Sequence, residues 1–182
     1  MKKISILAVC LFGFIVGANA QVAIGLKGGL NFANVDAAGD PDAKTGYHFG
    51  AFLEAGLGGI HLQPEILFSA KGAEDFDLTY LEIPILLKKN FAKVLNVHLG
   101  PQFGILTSAE SVDPVTGGEQ DVKDFLKSSD ISAVVGAGVN LPAGLVGGAR
   151  YVFGLSDIND GFGTEVKNKT FQVYVGWKFA GN

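Results

Sequence analysis

Three histidines, His48, His61 and His98, lie among Lys27, Glu54, Glu65, Lys71, Glu82, Lys88, Arg150 and Lys178 in segments otherwise rich in apolar residues and glycine. Imidazole beside carboxylate is the raw material of a metal site or a general acid–base pair. The spacing argues against both. The histidines fall on three separate segments, and no aspartate or serine accompanies them in a recognisable motif. Val134-Val135-Gly136-Ala137-Gly138 resembles the opening of a dinucleotide fingerprint, but Leu141 stands at the third small position and no helical pattern follows. Asp157-Ile158-Asn159-Asp160-Gly161 hints at a calcium loop, yet Phe162 takes the place of the required glycine. What remains is a set of charges that must pair if they share a low-dielectric interior. The expected chemistry is therefore a packed polar core of ion pairs and amides, with an ion-conducting path as the alternative. No catalytic group, cofactor or metal site is expected.

These residues are positioned by a period of two. In the first segment Val22, Ile24, Leu26, Leu30 and Phe32 alternate with Ala23, Gly25, Lys27, Gly29 and Asn31. Successive strand side chains point to opposite faces, so each segment separates two environments. Similar alternation recurs from Tyr47 to Leu57, Ile60 to Lys71, Tyr80 to Lys88, Leu95 to Ile105, Ile131 to Leu141, Leu145 to Ser156 and Thr170 to Phe179. Every titratable residue named above falls on the less apolar face. The intervening connections read long, short, long, short, long, short, long. The polar stretches Asn34 to Thr45, Gly72 to Asp77, Ser108 to Ser129 and Asp157 to Asn168 are the long ones; Gly58-Gly59 and Pro142-Ala143-Gly144 are among the tight turns.

Eight such segments, followed in order, predict an all-β, eight-stranded antiparallel transmembrane up-and-down β-barrel. The choice between a membrane barrel and a soluble one rests on glycine. Gly25, Gly29, Gly50, Gly56, Gly100, Gly104, Gly136, Gly138, Gly148, Gly154 and Gly176 share the face of the charges. Glycine weakens an open strand surface but makes room inside a narrow barrel. The apolar face is then the lipid face. Phe32, Tyr47, Phe49, Phe68, Phe103, Phe153 and Phe171 fall towards one rim of it and Trp177 and Phe179 towards the other, as two aromatic girdles would.

Lys2 and Lys3, the apolar stretch Ile4 to Val16 and Ala18-Asn19-Ala20 form a signal-peptide pattern over 1–20, with the barrel domain over 21–182. That apolar stretch is too short for a membrane helix. Cys10, the only cysteine, would leave with it, so disulfide and thiolate chemistry are excluded. Loss of Lys2 and Lys3 takes the formal charge from −4 to −6, against a nucleic-acid partner. The long connections carry many carboxylates, among them Asp36, Asp40, Asp75, Asp113 and Asp124, most simply a solvated surface.

The chain also resembles an outer-membrane β-barrel family common in Bacteroidetes, often labelled porin-family or PorT-like. The resemblance rests on Gly25-Leu26-Lys27-Gly28-Gly29-Leu30-Asn31-Phe32, on Leu62-Gln63-Pro64-Glu65, on Gly147-Gly148-Ala149-Arg150-Tyr151 and above all on Tyr80-Leu81-Glu82-Ile83-Pro84-Ile85-Leu86-Leu87-Lys88. It implies a small barrel of the OmpX/OmpA kind, resident in the bacterial outer membrane, and no enzyme active site. It also implies delivery by the barrel-assembly machinery, for which Trp177 and Phe179 would be the signal. Such chains typically end on an aromatic residue, whereas Ala180-Gly181-Asn182 extend past Phe179 here. The expected role is structural or interactive, as a monomer among outer-membrane lipids, with an unidentified partner at the loops. A narrow channel and a component of a secretion assembly are the alternatives.

Overall fold

The computed structural model describes residues 21–35, 45–57, 59–73, 76–91, 94–112, 119–121, 129–155 and 168–180. The signal-peptide stretch 1–20 and the calcium-like stretch 157–161 lie outside the described residues. The elements are β1 (Gln21–Val35), β2 (Thr45–Leu57), β3 (Ile60–Ala73), β4 (Phe76–Phe91), β5 (Leu95–Val112), β6 (Glu119–Asp121), β7 (Ser129–Asn140), a 3-10 turn (Pro142–Gly144), β8 (Leu145–Gly154) and β9 (Asn168–Ala180). Each long strand pairs antiparallel with its neighbours, and β1 pairs with β9. The sheet closes into a barrel of eight strands, with the three-residue β6 appended to the far end of β5. Closure satisfies the backbone of every strand inside the sheet, which is what a bilayer demands of a β-structure.

The faces sort as the alternation requires. Leu26 is 56% exposed, Val135 48% and Val175 72%, whereas Arg150, the largest fully buried side chain, is 1% exposed. A soluble protein buries aliphatics and exposes arginine, so this distribution is inverted. Among the described residues the exposed apolar side chains run along every barrel strand, a continuous surface that only lipid can cover.

Two stretches differ from the sequence expectation. Gly72 to Asp77 is expected as a loop, yet β3 and β4 stay paired to Ala73↔Phe76, leaving only 74–75 between them. Ser108 to Ser129 likewise gives up its ends, because β5 continues to Val112 and pairs with β6. Polarity misled here: ladder hydrogen bonds between backbones carry the pairing past the last strictly alternating residue.

Three prolines interrupt the ladders on adjacent strands. The β2–β3 pairing passes from Phe52↔Glu65 to Ala55↔Leu62, skipping Pro64. The β3–β4 pairing passes from Pro64↔Ile85 to Leu67↔Glu82 around Pro84, and β4–β5 from Pro84↔Gln102 to Leu87↔Leu99 around Pro101. Proline has no N–H to donate, so each skip falls where a ladder bond is chemically unavailable.

The turns cluster at one end, the turn end, together with Gln21 and Ala180. Gly59 and Gly144 adopt φ of +82° and +79°, the left-handed conformation that glycine accepts without strain, and Ala143 joins them at 60°. The opposite, loop end holds the longer connections and β6.

Candidate functional site: the lumenal charge network

The lumen is organised as tiers of charged and amide side chains, each tier gathering residues from several strands. At the turn end, Glu54 on β2 is the hub. Its Oε2 accepts from Lys88 Nζ at 2.9 Å and from Lys178 Nζ at 3.4 Å, and its Oε1 lies 3.1 Å from His61 Nδ1. Asn140 Oδ1 stands within 3.4 Å of Lys88 and 3.5 Å of Lys178, while Asn140 Nδ2 donates to Asn90 Oδ1 at 3.1 Å. Asn90 in turn bonds His61 Nε2 at 2.8 Å.

Deeper, Glu65 on β3 is held by Lys27 at 2.6 Å and by Arg150 Nη1 at 2.8 Å, and it accepts from Gln63 Nε2 at 2.7 Å. All three charged side chains are essentially inaccessible to solvent. The Arg150 bond joins β8 to β3, which are four strands apart in either direction around the barrel, so it crosses the full lumen. Tyr174 lies beneath both cations, its ring 4.5 Å from Lys27 Nζ and 6.0 Å from the Arg150 guanidinium, near enough for the ring face to attract them. His98 meets the same ring edge-on at 6.2 Å and bonds Asn96 Oδ1 at 3.2 Å.

Above this, Asn31 replaces a carboxylate as hub. Its amide donates to Ser69 Oγ at 2.9 Å and to the carbonyls of Tyr47 and Ala70, and its oxygen accepts from Gln172 and contacts His48 Nδ1 at 2.7 Å. Lys71 and Glu82 pair near the loop end. Gly136 is what lets the middle tier form. A Cβ there would stand 2.4 Å from His98 Nε2 and 2.6 Å from Arg150 Cβ.

Lys27, His48, Glu54, Glu65, Lys71, Glu82, Lys88 and Arg150 are thus all buried; Lys71 and Glu82 form their own pair, the other six are linked directly or through amides, and His61 and Lys178 are partly exposed at the turn-end mouth. Sequence reasoning expected amides in this core but did not single out which of them act as hubs. Asn31, Gln63, Gln172, Asn90 and Asn140 make as many bonds as the charges, and their position on the charged face was the only sign of it. It also missed the apolar part of the interior. Leu86, Val134 and Val152 pack together from β4, β7 and β8, and Tyr80, Leu106 and Ala109 form a second cluster nearer the loop end. The histidines rest against amides, His48 on Asn31, His98 on Asn96 and His61 on Asn90, with Glu54 beside the last. Trp177 lies outside, its indole N–H donating to Ala143 O at 2.7 Å and so tying β9 to the turn before β8. Phe32 and Phe171 face each other at 6.3 Å, and Phe49 and Phe68 at 5.8 Å, on the outer surface.

Known proteins agree with this architecture. The family model described as outer membrane protein beta-barrel domain matches residues 18–160. No curated protein matches the chain. Among solved structures, Ail, the attachment invasion locus protein of Yersinia pestis, is 15% identical with a TM-score of 0.56, covering 89% of this chain and 100% of its own. Neisserial surface protein A is 12% identical with a TM-score of 0.57, covering 86% and 97%. At these identities the likeness is one of fold.

Proposed function

Because this chain belongs to the outer membrane protein beta-barrel domain family, we propose that it is a closed structural barrel of the outer membrane that acts through its surface loops. The turn end would face the periplasm and the loop end the exterior, following the usual asymmetry of such barrels. The observation that carries a closed lumen is the Arg150–Glu65 bond, which spans the barrel from β8 to β3 at 2.8 Å. The apolar cluster of Leu86, Val134 and Val152 obstructs the interior further. Eight strands leave an interior that side chains can fill. A narrow channel would need this network to part, and a component of a secretion assembly, the PorT-like reading, would need a partner on the rim.

A non-enzymatic role is supported by the histidine partners: His48 and His98 bond amides, and His61 bonds Asn90 with Glu54 beside it, so no Ser or Cys nucleophile stands at an imidazole among these contacts. Ail has also been solved in complex with the heparin analogue sucrose octasulfate. Here the connections at the loop end carry Asp36, Asp40, Asp42, Asp113, Asp124, Asp157 and Asp160, which would repel a polyanion. A surface role therefore favours a cationic partner. Removal of residues 1–20 as a signal peptide and assembly through Trp177 and Phe179 belong to the same proposal.

The test is conductance of the refolded chain 21–182 in a planar bilayer, with heat-modifiable gel mobility as the check on folding. A folded, silent barrel is the expected result. Stable single-channel steps would replace the closed scaffold by the channel.

A further inference from the structure

Charge is distributed along the barrel axis in a way that the scaffold does not require. The turns and the strand ends beside them carry Lys88, Lys89, Lys93 and Lys178, and residues 57–61, 88–96 and 140–146 contain no aspartate or glutamate. The long connections at the other end carry the acidic residues. Inside the turn-end mouth the imbalance persists at atomic range. Lys88 and Lys178 converge on one carboxylate oxygen, Glu54 Oε2, at 2.9 and 3.4 Å. The next tier repeats the arrangement, with Lys27 and Arg150 on one oxygen of Glu65. Four cations thus share two carboxylates over the turn-end half of the lumen.

The surplus leaves donors in hand. Arg150 Nη2 is buried with no hydrogen-bond partner among the described residues, a second sign that this half of the lumen is short of acceptors. Lys178 holds its two acceptors, Glu54 and Asn140, only at 3.4 and 3.5 Å, and its side chain is 22% exposed, the most open of the lumenal cations. A recess with low-dielectric walls and one sign of charge focuses its field on an entering counter-ion. Ammonium donors bond oxyanions through short, charge-assisted contacts.

We propose that the turn-end mouth of the lumen binds a small oxyanion, namely a phosphate group, with Lys178 as the entry ligand and Lys88 behind it. The bound group completes the charge balance around Glu54. It takes the donor capacity that Asn140 now holds weakly. A free phosphate and the phosphate of a phospholipid headgroup in the adjoining leaflet present the same chemistry to Lys178. The site is independent of whether the lumen conducts.

The experiment is an amide NMR titration of the refolded barrel in zwitterionic micelles, with inorganic phosphate against chloride at constant ionic strength. Saturable shifts are expected at Glu54, Lys88, Asn140 and Lys178 with phosphate alone, while Ser69 and Gly104, far from the mouth, stay still. Lys178→Gln should weaken the affinity about ten-fold, the loss of one charge-assisted contact. Lys89→Gln, on the outer face, should leave it unchanged. Shifts that do not saturate, equal shifts with chloride, or full affinity in Lys178→Gln would overturn the proposal. Micelles doped with phosphatidylglycerol form the second arm. Shifts at the same four residues, displaced by inorganic phosphate, assign the headgroup as a source. Doped-micelle shifts abolished by Lys89→Gln but not by Lys178→Gln, with no response to free phosphate, would place the contact on the outer surface and overturn the lumenal site.

Discussion

Glu65 is the residue on which the interior depends most. It pairs with Lys27 and Arg150 at once, from a position that solvent does not reach. Removing one partner of a buried ion pair leaves the other charge uncompensated, a loss of about 3–5 kcal/mol. Glu65→Gln should therefore lower the urea midpoint of the refolded barrel by that order, and Glu65→Gln with Lys27→Met should recover part of it. Equal stability of Glu65→Gln and the parent would mean that the triad carries little of the fold. Gly136 offers the steric counterpart. A methyl group there meets Ala149 O at 2.7 Å as well as His98 and Arg150, and Gly136→Ala should cost about 1–3 kcal/mol through overpacking.

At the scale of the strand, the two faces make opposite demands. Val135 points to lipid and its neighbours Val134 and Gly136 to the lumen, so a charge at Val135 meets hydrocarbon. Val135→Arg should destabilise the folded barrel by about 2–4 kcal/mol if it lies near the midplane, measured as the shift in unfolding free energy in bilayers. No effect would place that face elsewhere. The proline skips set a second expectation. Backbone groups that lack ladder partners open more readily. Amides of residues 85–86 and 100, beside Pro84 and Pro101, should exchange with deuterium faster than those of Leu30 and Gly29, which sit in unbroken pairing with both β2 and β9. Uniform protection around the barrel would show the skips to be without consequence.

For the whole molecule, the decisive property is orientation. The absence of any cysteine from 21–182 gives a clean background for labelling. Thr116→Cys, in the connection at the loop end, should react with an impermeant maleimide on intact cells, and Ala143→Cys, in the turn before β8, only after the outer membrane is broken. The reverse pattern would invert the barrel and move the cationic mouth to the exterior.

Much of this was legible in the sequence, for a physical reason. A strand between lipid and a polar lumen has one solvent on each side, and side chains alternate strictly, so Leu26, Lys27, Val135 and Gly136 declare their faces one by one. Strand number, closure into a membrane barrel and the shared face of residues such as Lys27, Glu54, Glu65 and Arg150 followed from that alternation. Where the strict alternation lapsed, towards Ala73, Phe76 and Val112, the strand ends went unread. Sequence also could not say which charges meet. Glu65 and Arg150 are 85 positions apart, and they bond only because eight tilted strands close in one register and bring β3 and β8 to opposite walls. The same closure set Asn31 as a hub, packed Leu86 against Val134 and Val152, and left two cations for each carboxylate at the turn end. Period two assigns a face, but partnership across a lumen depends on register and strand tilt, which exist only once the barrel has closed.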